Sequence, residues 1–417
     1  MKIKGMHKKI FIFLSLMGMF ILVSCGKESI ENKISETNSQ ETSVNSVTST
    51  DIDNAETLST SSAVTNNADE KSDTTTEDGD IDLIMVGDIL LHDKINESGE
   101  MADGTYNYDH LFTHVKEDIE AADLALVNQE VILGGRELGL SGYPAFNGAY
   151  EVGDALAESG FDVVLHATNH ALDKGGKGIT NCLSFWENTY PEMAVLGIND
   201  SQEAQDNQIY VYEQDGINIA ILNYTFGTNG IAPPEDMPFA VNYLDEDKII
   251  QDLEKANELA DFIIVCPHWG TEYSHEISSE QKKYSKIFVN HGVDLVIGTH
   301  PHVTEPVEWV IGDNKEKMLV YYSLGNFINA TSGTGPGVAD RMVGMMAKVS
   351  IGKDDSGNIV ILNNEQIPLV SHVVSGVGKM TVYKLEDYSP ELALKNEIIV
   401  QDSMFSYEYC VECASKY

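Results

Sequence analysis

Beyond residue 80 the chain repeats one pattern. A short apolar, β-rich run stops abruptly, a polar cluster follows, and a helix-compatible stretch comes next. The apolar runs fall at 81–86, 124–127, 162–165, 217–223, 262–266, 294–297 and 318–322. The helix-compatible stretches fall at 108–121, 152–159, 178–188, 245–259 and 278–290. Alternation of this kind predicts a layered α/β fold. The runs near Asp162 and Asp294 are continuously apolar, as expected for strands covered on both faces. After Gly337 the pattern changes to strand-like runs at 341–351 and 358–374, which predict an added antiparallel β extension or a second sheet layer.

Five of the runs end on groups that carry chemistry: Gly87-Asp88, Asn128-Gln129-Glu130, Thr168-Asn169-His170, Pro267-His268-Trp269-Gly270 and Thr299-His300-Pro301-His302. In open α/β sheets, ligands bind beyond the carboxyl ends of strands, so five such ends point to one shared site. Taken singly, each has a bland reading: Asp88 a turn or cap, Glu130 a surface charge, His268 a core histidine with a satisfied hydrogen bond. His300 and His302 are stronger, because alternate residues of an extended segment face the same way and can chelate one ion. Carboxylate, amide and imidazole donors together suit a divalent ion such as Mn²⁺, Fe²⁺ or Zn²⁺.

The front of the chain has a different character. Lysines at 2, 4, 8 and 9 precede an apolar run over 10–23, too short to span a bilayer comfortably. Leu22-Val23-Ser24-Cys25-Gly26 looks like a bacterial lipobox, with Cys25 the acylated residue and 1–24 a removed signal peptide. An ordinary signal peptide or short anchor with an incidental cysteine is the alternative. Residues 25–80 are rich in Ser, Thr, Asn, Asp and Glu and too poor in apolar side chains to offset their ordering entropy. They read as a disordered tether with a reach on the order of 40 Å. Residues 81–417 then form the folded domain, on the extracellular side of a membrane gripped through lipid. The formal charge is −40, with thirteen acidic and three basic residues over 27–80, so the folded part is itself strongly acidic. No basic stripe offers itself to nucleic acid. Cys182 and Cys266 read as core residues, whereas Cys410 and Cys413, in C-x-x-C spacing, leave a terminal disulfide open.

Six ordered motifs make the pattern specific: Val86-Gly87-Asp88, Asn128-Gln129-Glu130, Ala167-Thr168-Asn169-His170-Ala171-Leu172-Asp173, His268-Trp269-Gly270-Thr271-Glu272-Tyr273, Gly298-Thr299-His300-Pro301-His302 and Tyr322-Ser323-Leu324-Gly325-Asn326-Phe327. Over 81–328 the chain resembles the CapA-type poly-γ-glutamate capsule synthesis family, itself similar to the calcineurin-like metallophosphatases. The resemblance implies a four-layer αββα sandwich with two metal ions at the strand ends. It implies Asp88 and His302 on one ion, Asn169, His268 and His300 at the other, and Glu130 between them. His170 would be the general acid, oriented by Asp173 or Glu272, and Asn128, Trp269 and Asn326 would line the substrate. The metallophosphatase D-x-H opening is absent: Leu90 stands two residues past Asp88, and His92 reads as incidental.

The implied function is metal-dependent hydrolysis of a phosphoester or amide bond, serving an acidic extracellular polymer in synthesis, export or release. The rival is a non-catalytic polymer-binding or assembly component working with capsule export membrane proteins. An acidic polymer would be repelled by so acidic a domain without bridging cations or a local basic patch, for which Arg136, Lys174 and Lys177 are candidates.

Overall fold

The computed structural model describes residues 79–416. The signal segment 1–24, Cys25 and the tether, apart from Gly79 and Asp80, lie outside the described residues. In chain order the strands are β1 (Ile81–Ile89), β2 (Leu124–Asn128), β3 (Val163–Leu165), β4 (Ala194–Leu196), β5 (Tyr210–Gln214), β6 (Ile217–Thr225) and β7 (Phe262–His268). They continue as β8 (Leu295–Ile297), β9 (Val307–Ile311), β10 (Lys317–Tyr321), β11 (Asn326–Ile328), β12 (Val343–Lys353), β13 (Ile359–His372) and β14 (Thr381–Lys384). One sheet runs β14-β13-β12-β1-β2-β3-β4, with β11 also paired to β1; the other runs β5-β6-β7-β8-β10-β9.

Period-two alternation sorts the strand residues into layers. Ile81, Leu83 and Met85 of β1 join Ile219 and Ile221 of β6 and Ile264 and Cys266 of β7 in one core between the sheets. The intervening Ile84 and Val86 face the other way, into a core shared with Val152 and Leu156 of the helix Tyr150–Ser159 and Ile179 and Trp186 of the helix Gly175–Thr189. Leu222, Val265 and Val296 of the second sheet pack on Ile249 and Leu253 of the helix Glu246–Leu259 and Phe288 of the helix Ser279–Asn290. Three cores separate four layers, in the order helix, sheet, sheet, helix. Each large aliphatic side chain so buried contributes roughly 1.5–3 kcal/mol.

The expected helices 245–259 and 278–290 form, and their first residues act as caps. Asp245 accepts from the Lys248 N–H, and Ser278 and Gln281 make a reciprocal capping box. The stretch expected as one helix over 108–121 is instead a 3₁₀ turn at Asp109–Leu111 and a short helix at Lys116–Ala121. The aromatic and β-branched residues between them, Phe112, Thr113, His114 and Val115, are poor helix formers, and Phe112 and Val115 are buried without continuing the helix. The C-terminal runs form no separate sheet. β12 pairs antiparallel with β1 from Ile81 to Val86, and β13 pairs with β12, so they extend the first sheet past its otherwise open edge.

Short helices at Pro390–Ala393, Ile398–Gln401 and Tyr407–Ala414 complete the outer layer. Cys410 and Cys413 stand one turn apart on the last of these as free buried thiols, so the disulfide left open by their spacing is not formed. Cys182 and Cys266 are buried core residues, as expected. Among the described residues no helix is long and apolar enough to cross a membrane.

Candidate metal centre

Every expected cluster sits at a carboxyl strand end, and the ends belong to both sheets. β1 delivers Asp88, β2 leads to Asn128 and Glu130, and the turn after β3 carries Asn169 and His170. From the second sheet β7 ends on His268, and the loop after β8 brings His300 and His302. Gly87 is required here: a Cβ would stand 1.9 Å from the Gly325 carbonyl oxygen, and that close approach lets Asp88 N–H donate to the same oxygen (3.1 Å).

The side chains converge. Asn128 Nδ2 donates to Asp88 Oδ1 (2.8 Å), and His302 Nδ1 lies 3.2 Å from Asp88 Oδ2 and 3.1 Å from Asn326 Oδ1. His268 Nε2 is 2.9 Å from Asn169 Oδ1, and its Nδ1 is 3.0 Å from Thr299 Oγ1. Glu130 stands in the middle. Its Oε1 is 3.8 Å from His268 Nε2 and 3.9 Å from His170 Nε2, and its Oε2 is 3.8 Å from His302 Nδ1. Among the described residues three groups have ligand atoms within 4.8 Å of one another: Asp88–Glu130–His302, Glu130–His268–His300 and Glu272–His300–His302. Glu130 belongs to two of them.

Among the described residues both oxygens of the fully buried Glu130 lack a hydrogen-bond partner, as do His300 Nδ1 and Asn128 Oδ1. Burial, reinforced by the Asp88, Glu272 and Asp173 carboxylates, pushes the Glu130 carboxyl well above its ordinary range. Burial, with neighbouring imidazoles, holds His268 and His300 well below theirs, which favours neutral rings, and His300 Nδ1 has no partner among the described residues. Unpaired buried polar atoms are costly, and a cation between them would satisfy carboxylate and neutral imidazoles together. The donor set therefore fits divalent metal binding.

The backbone here is also unusual. His300, His302, Tyr273 and Asn229 all have positive φ (102°, 61°, 64° and 51°). Non-glycine residues in this region concentrate at functional sites, where the surrounding structure holds them. The two histidines thus converge through kinked backbone, not through the extended alternation expected from sequence.

The remaining expectations divide. His170 Nδ1 lies 2.7 Å from Asp173 Oδ2, and the same oxygen accepts from the Phe146 N–H (2.7 Å). Asp173 is thus the group that orients His170, whereas Glu272 is exposed and stands with His300 and His302. Trp269 is fully buried, donates Nε1–H to the Tyr322 carbonyl (3.0 Å) and packs among Phe288 and its neighbours. That placement corrects the substrate contact expected of it: Trp269 is a core residue. Asn326 is buried too, its amide nitrogen donating to the carbonyls of His302 and Arg341 while its oxygen faces His302. Asn128 braces Asp88. These two asparagines hold the site's backbone and ligands, with no surface turned to solvent.

Several neighbours were not legible beforehand. Asn229 receives the Asn169 amide (3.3 Å) and stands 3.5 Å from His170 Nδ1. Phe226 lies against the His300 ring, with centroids 4.5 Å apart. His92 lies edge-on to Phe146 (5.2 Å), whose ring in turn meets His170 (4.6 Å), so it borders the site although its spacing suggested nothing. Of the expected basic patch, Arg136 is ion-paired with Glu151 (3.2 Å), and Lys174 donates to Ser141 Oγ and the Ala145 carbonyl.

Two sheets with a carboxylate–imidazole cluster across their carboxyl edge define a layered α/β protein whose side chains are compatible with divalent metal binding. The family model described as "Bacterial capsule synthesis protein PGA_cap" matches residues 82–331, and the chain belongs to that family. It is 27% identical over 266 residues to the capsule biosynthesis protein CapA of Bacillus anthracis, covering 60% of each chain. It is 30% identical over 174 residues to the PGA biosynthesis protein CapA of Bacillus subtilis (strain 168), covering 42% of this chain and 44% of that one. The chain thus spans less than two thirds of these relatives' length.

Among solved structures it is distantly similar to the NAD nucleotidase NadN of Haemophilus influenzae, at 15% identity and a TM-score of 0.44, covering 71% of this chain and 56% of that one. A 5'-nucleotidase precursor from Thermus thermophilus gives 14% identity, a TM-score of 0.43, and coverage of 70% and 54%.

Proposed function

We propose that this capsule-family protein is a surface lipoprotein, anchored through Cys25, whose domain is a metal-dependent hydrolase. It serves poly-γ-glutamate or another acidic capsule polymer in its synthesis, export or release, beside membrane proteins of the same machinery. The supporting observation is Glu130: a fully buried carboxylate, both oxygens unpartnered, shared by two ligand groups. On this reading two divalent ions (Mn²⁺, Fe²⁺ or Zn²⁺) would be held, one by Asp88 and His302, the other by Asn169, His268 and His300, with Glu130 available to both. When bound, such ions supply Lewis acidity toward the bond attacked.

The chain's own residues do the rest. Asp173 accepts the Nδ1–H of His170 and fixes the ring, so that Nε2 faces Glu130 and the reaction space. In its charged form His170 donates a proton from Nε2 to the departing atom. Asn229 closes its far side. Asn128 and Asn326 hold Asp88 and His302 in place.

The test uses the full chain. Metal content is measured by mass spectrometry, followed by turnover of a model phosphodiester and of γ-glutamyl peptides. About two ions per chain are expected, with hydrolysis of one substrate class. Asp173→Asn should lower that turnover roughly 10²-fold or more at unchanged metal content, the scale of a positioned acid. Polymer bound by metal-loaded protein with no turnover of either class would replace the hydrolase with an assembly component.

A further inference from the structure

The whole chain contains two arginines, Arg136 and Arg341, against a formal charge of −40. Arg136 is neutralised by Glu151. Arg341 has no ion-pair partner among the described residues. Its Nε–H donates to the Gly337 carbonyl (3.2 Å), and its guanidinium carbon lies 4.5 Å above the Tyr273 ring. That ring is 5.8 Å from the ring of His302, and Tyr273 is 52% exposed, so guanidinium and aromatic face sit at the mouth of the metal centre.

Two features hold Arg341 there. Its carbonyl accepts from Asn326 Nδ2 (2.9 Å), the same asparagine whose oxygen faces His302, which ties its backbone to the ligand loop. The adjacent carboxylate is engaged elsewhere: Asp340 Oδ1 accepts from the Tyr409 hydroxyl and from the Cys413 thiol, and lies 3.9 Å from His275 Nε2. Asp340 is thus taken by the C-terminal helix and by His275, and leaves the guanidinium unneutralised. A planar guanidinium presents paired donors that match the oxygens of a carboxylate or phosphoryl group, and stacking on an aromatic ring pre-organises it.

We propose that Arg341, seated on Tyr273, is a specificity-determining residue that receives an oxyanion of the substrate while the reacting bond lies at the metal centre. This inference rests on the hydrolase reading for its purpose. It requires only that the mouth bind an oxyanion. It also answers the electrostatic difficulty of an acidic domain serving an acidic polymer, because the arginine left without a carboxylate stands where the polymer must enter.

The experiment titrates full-length protein, with and without Mn²⁺, against inorganic phosphate and against γ-linked triglutamate, by calorimetry. Wild type is compared with Arg341→Met and Arg341→Lys, each checked by thermal melting and by Mn²⁺ titration. Arg341→Met should weaken the anion roughly tenfold or more while Mn²⁺ affinity is unchanged, and Arg341→Lys should recover only part, since an ammonium lacks the fork. Weakening confined to phosphate assigns a phosphoryl group; weakening confined to triglutamate assigns a carboxylate. Should Arg341→Met not fold, Arg341→Lys alone decides, through a measurable loss against wild type. If Mn²⁺ fails to bind wild type, the metal reading falls, and the metal-free titrations decide Arg341 by the same ratio. Equal anion affinity in wild type and variants, or no binding of either anion to wild type, overturns the proposal.

Discussion

The two ends of the same strands use acidic residues in opposite ways. At the amino ends, Asp123, Asp162, Asp261 and Asp294 immediately precede β2, β3, β7 and β8. Each accepts a backbone N–H from the neighbouring strand: Asp82, Ala125, Asn218 and Ile263, all at 2.9 Å. At the carboxyl ends, Glu130 receives no hydrogen bond, and Asp88 is met by the Asn128 amide, the His300 N–H and the His302 ring. Carboxylates at the base close the ladders, whereas those at the top converge with imidazoles into candidate ligand groups. The difference teaches that position along a strand, more than residue type, separates a structural aspartate from a candidate ligand.

The largest effect should come from the top. Glu130→Gln keeps the shape and removes the charge, so metal affinity should fall by more than the roughly 10–100-fold typical of losing an outer partner. Metal-free thermal stability should hold or rise, because a desolvated carboxylate is gone. A variant that binds Mn²⁺ like wild type would erase the contrast between the two ends.

The next effect sharpens the contrast from below. Burial raises the Asp294 carboxyl from 3.8 to about 7, while the Ile263 N–H opposes the rise. A raised folded-state value means that this group's contribution is full below pH 3.8 and is lost as pH climbs toward 7. Asp294→Asn retains an acceptor for the Ile263 N–H and should flatten that loss. Its gain over wild type at about pH 8 should be on the order of 2–4 kcal/mol, read from denaturant midpoints at about pH 4 and pH 8. A pH-independent difference between the two proteins would remove Asp294 as the cause.

The smallest effect is the loss of one acceptor. Asp162→Ala leaves the Ala125 N–H without its partner and should lower stability by about 1–3 kcal/mol, with Mn²⁺ affinity unchanged. Altered metal binding in that variant would show that the two ends are coupled.

Much of the fold could be read directly from residue order. The seven apolar runs before Gly337 all became strands, because an apolar β-rich stretch bounded by polar clusters has few other ways to bury itself. Short pieces such as β4, β8 and β11, three residues each, are below the length at which periodicity separates strand from loop, and only β8 lay within a recognisable run. The C-terminal strands were visible but their sheet was not, since pairing with β1 is a long-range choice made by an open edge. Trp269, expected from the resemblance to line the substrate, is core, because its neighbour His268 takes the strand's last position and turns the indole to the opposite face.

By itself the sequence determined the α/β layering and the types of ligand available, because both follow from local pattern and side-chain chemistry. Only the tertiary structure decided that β1, β2 and β3 of one sheet meet β7 and β8 of the other at a common edge. It alone left Glu130 without a partner there, bent His300 and His302 inward through positive φ, and stood Arg341 over Tyr273 at the mouth. Such placements depend on contacts between residues as distant in the chain as Asp88 and His302, and no local propensity encodes them.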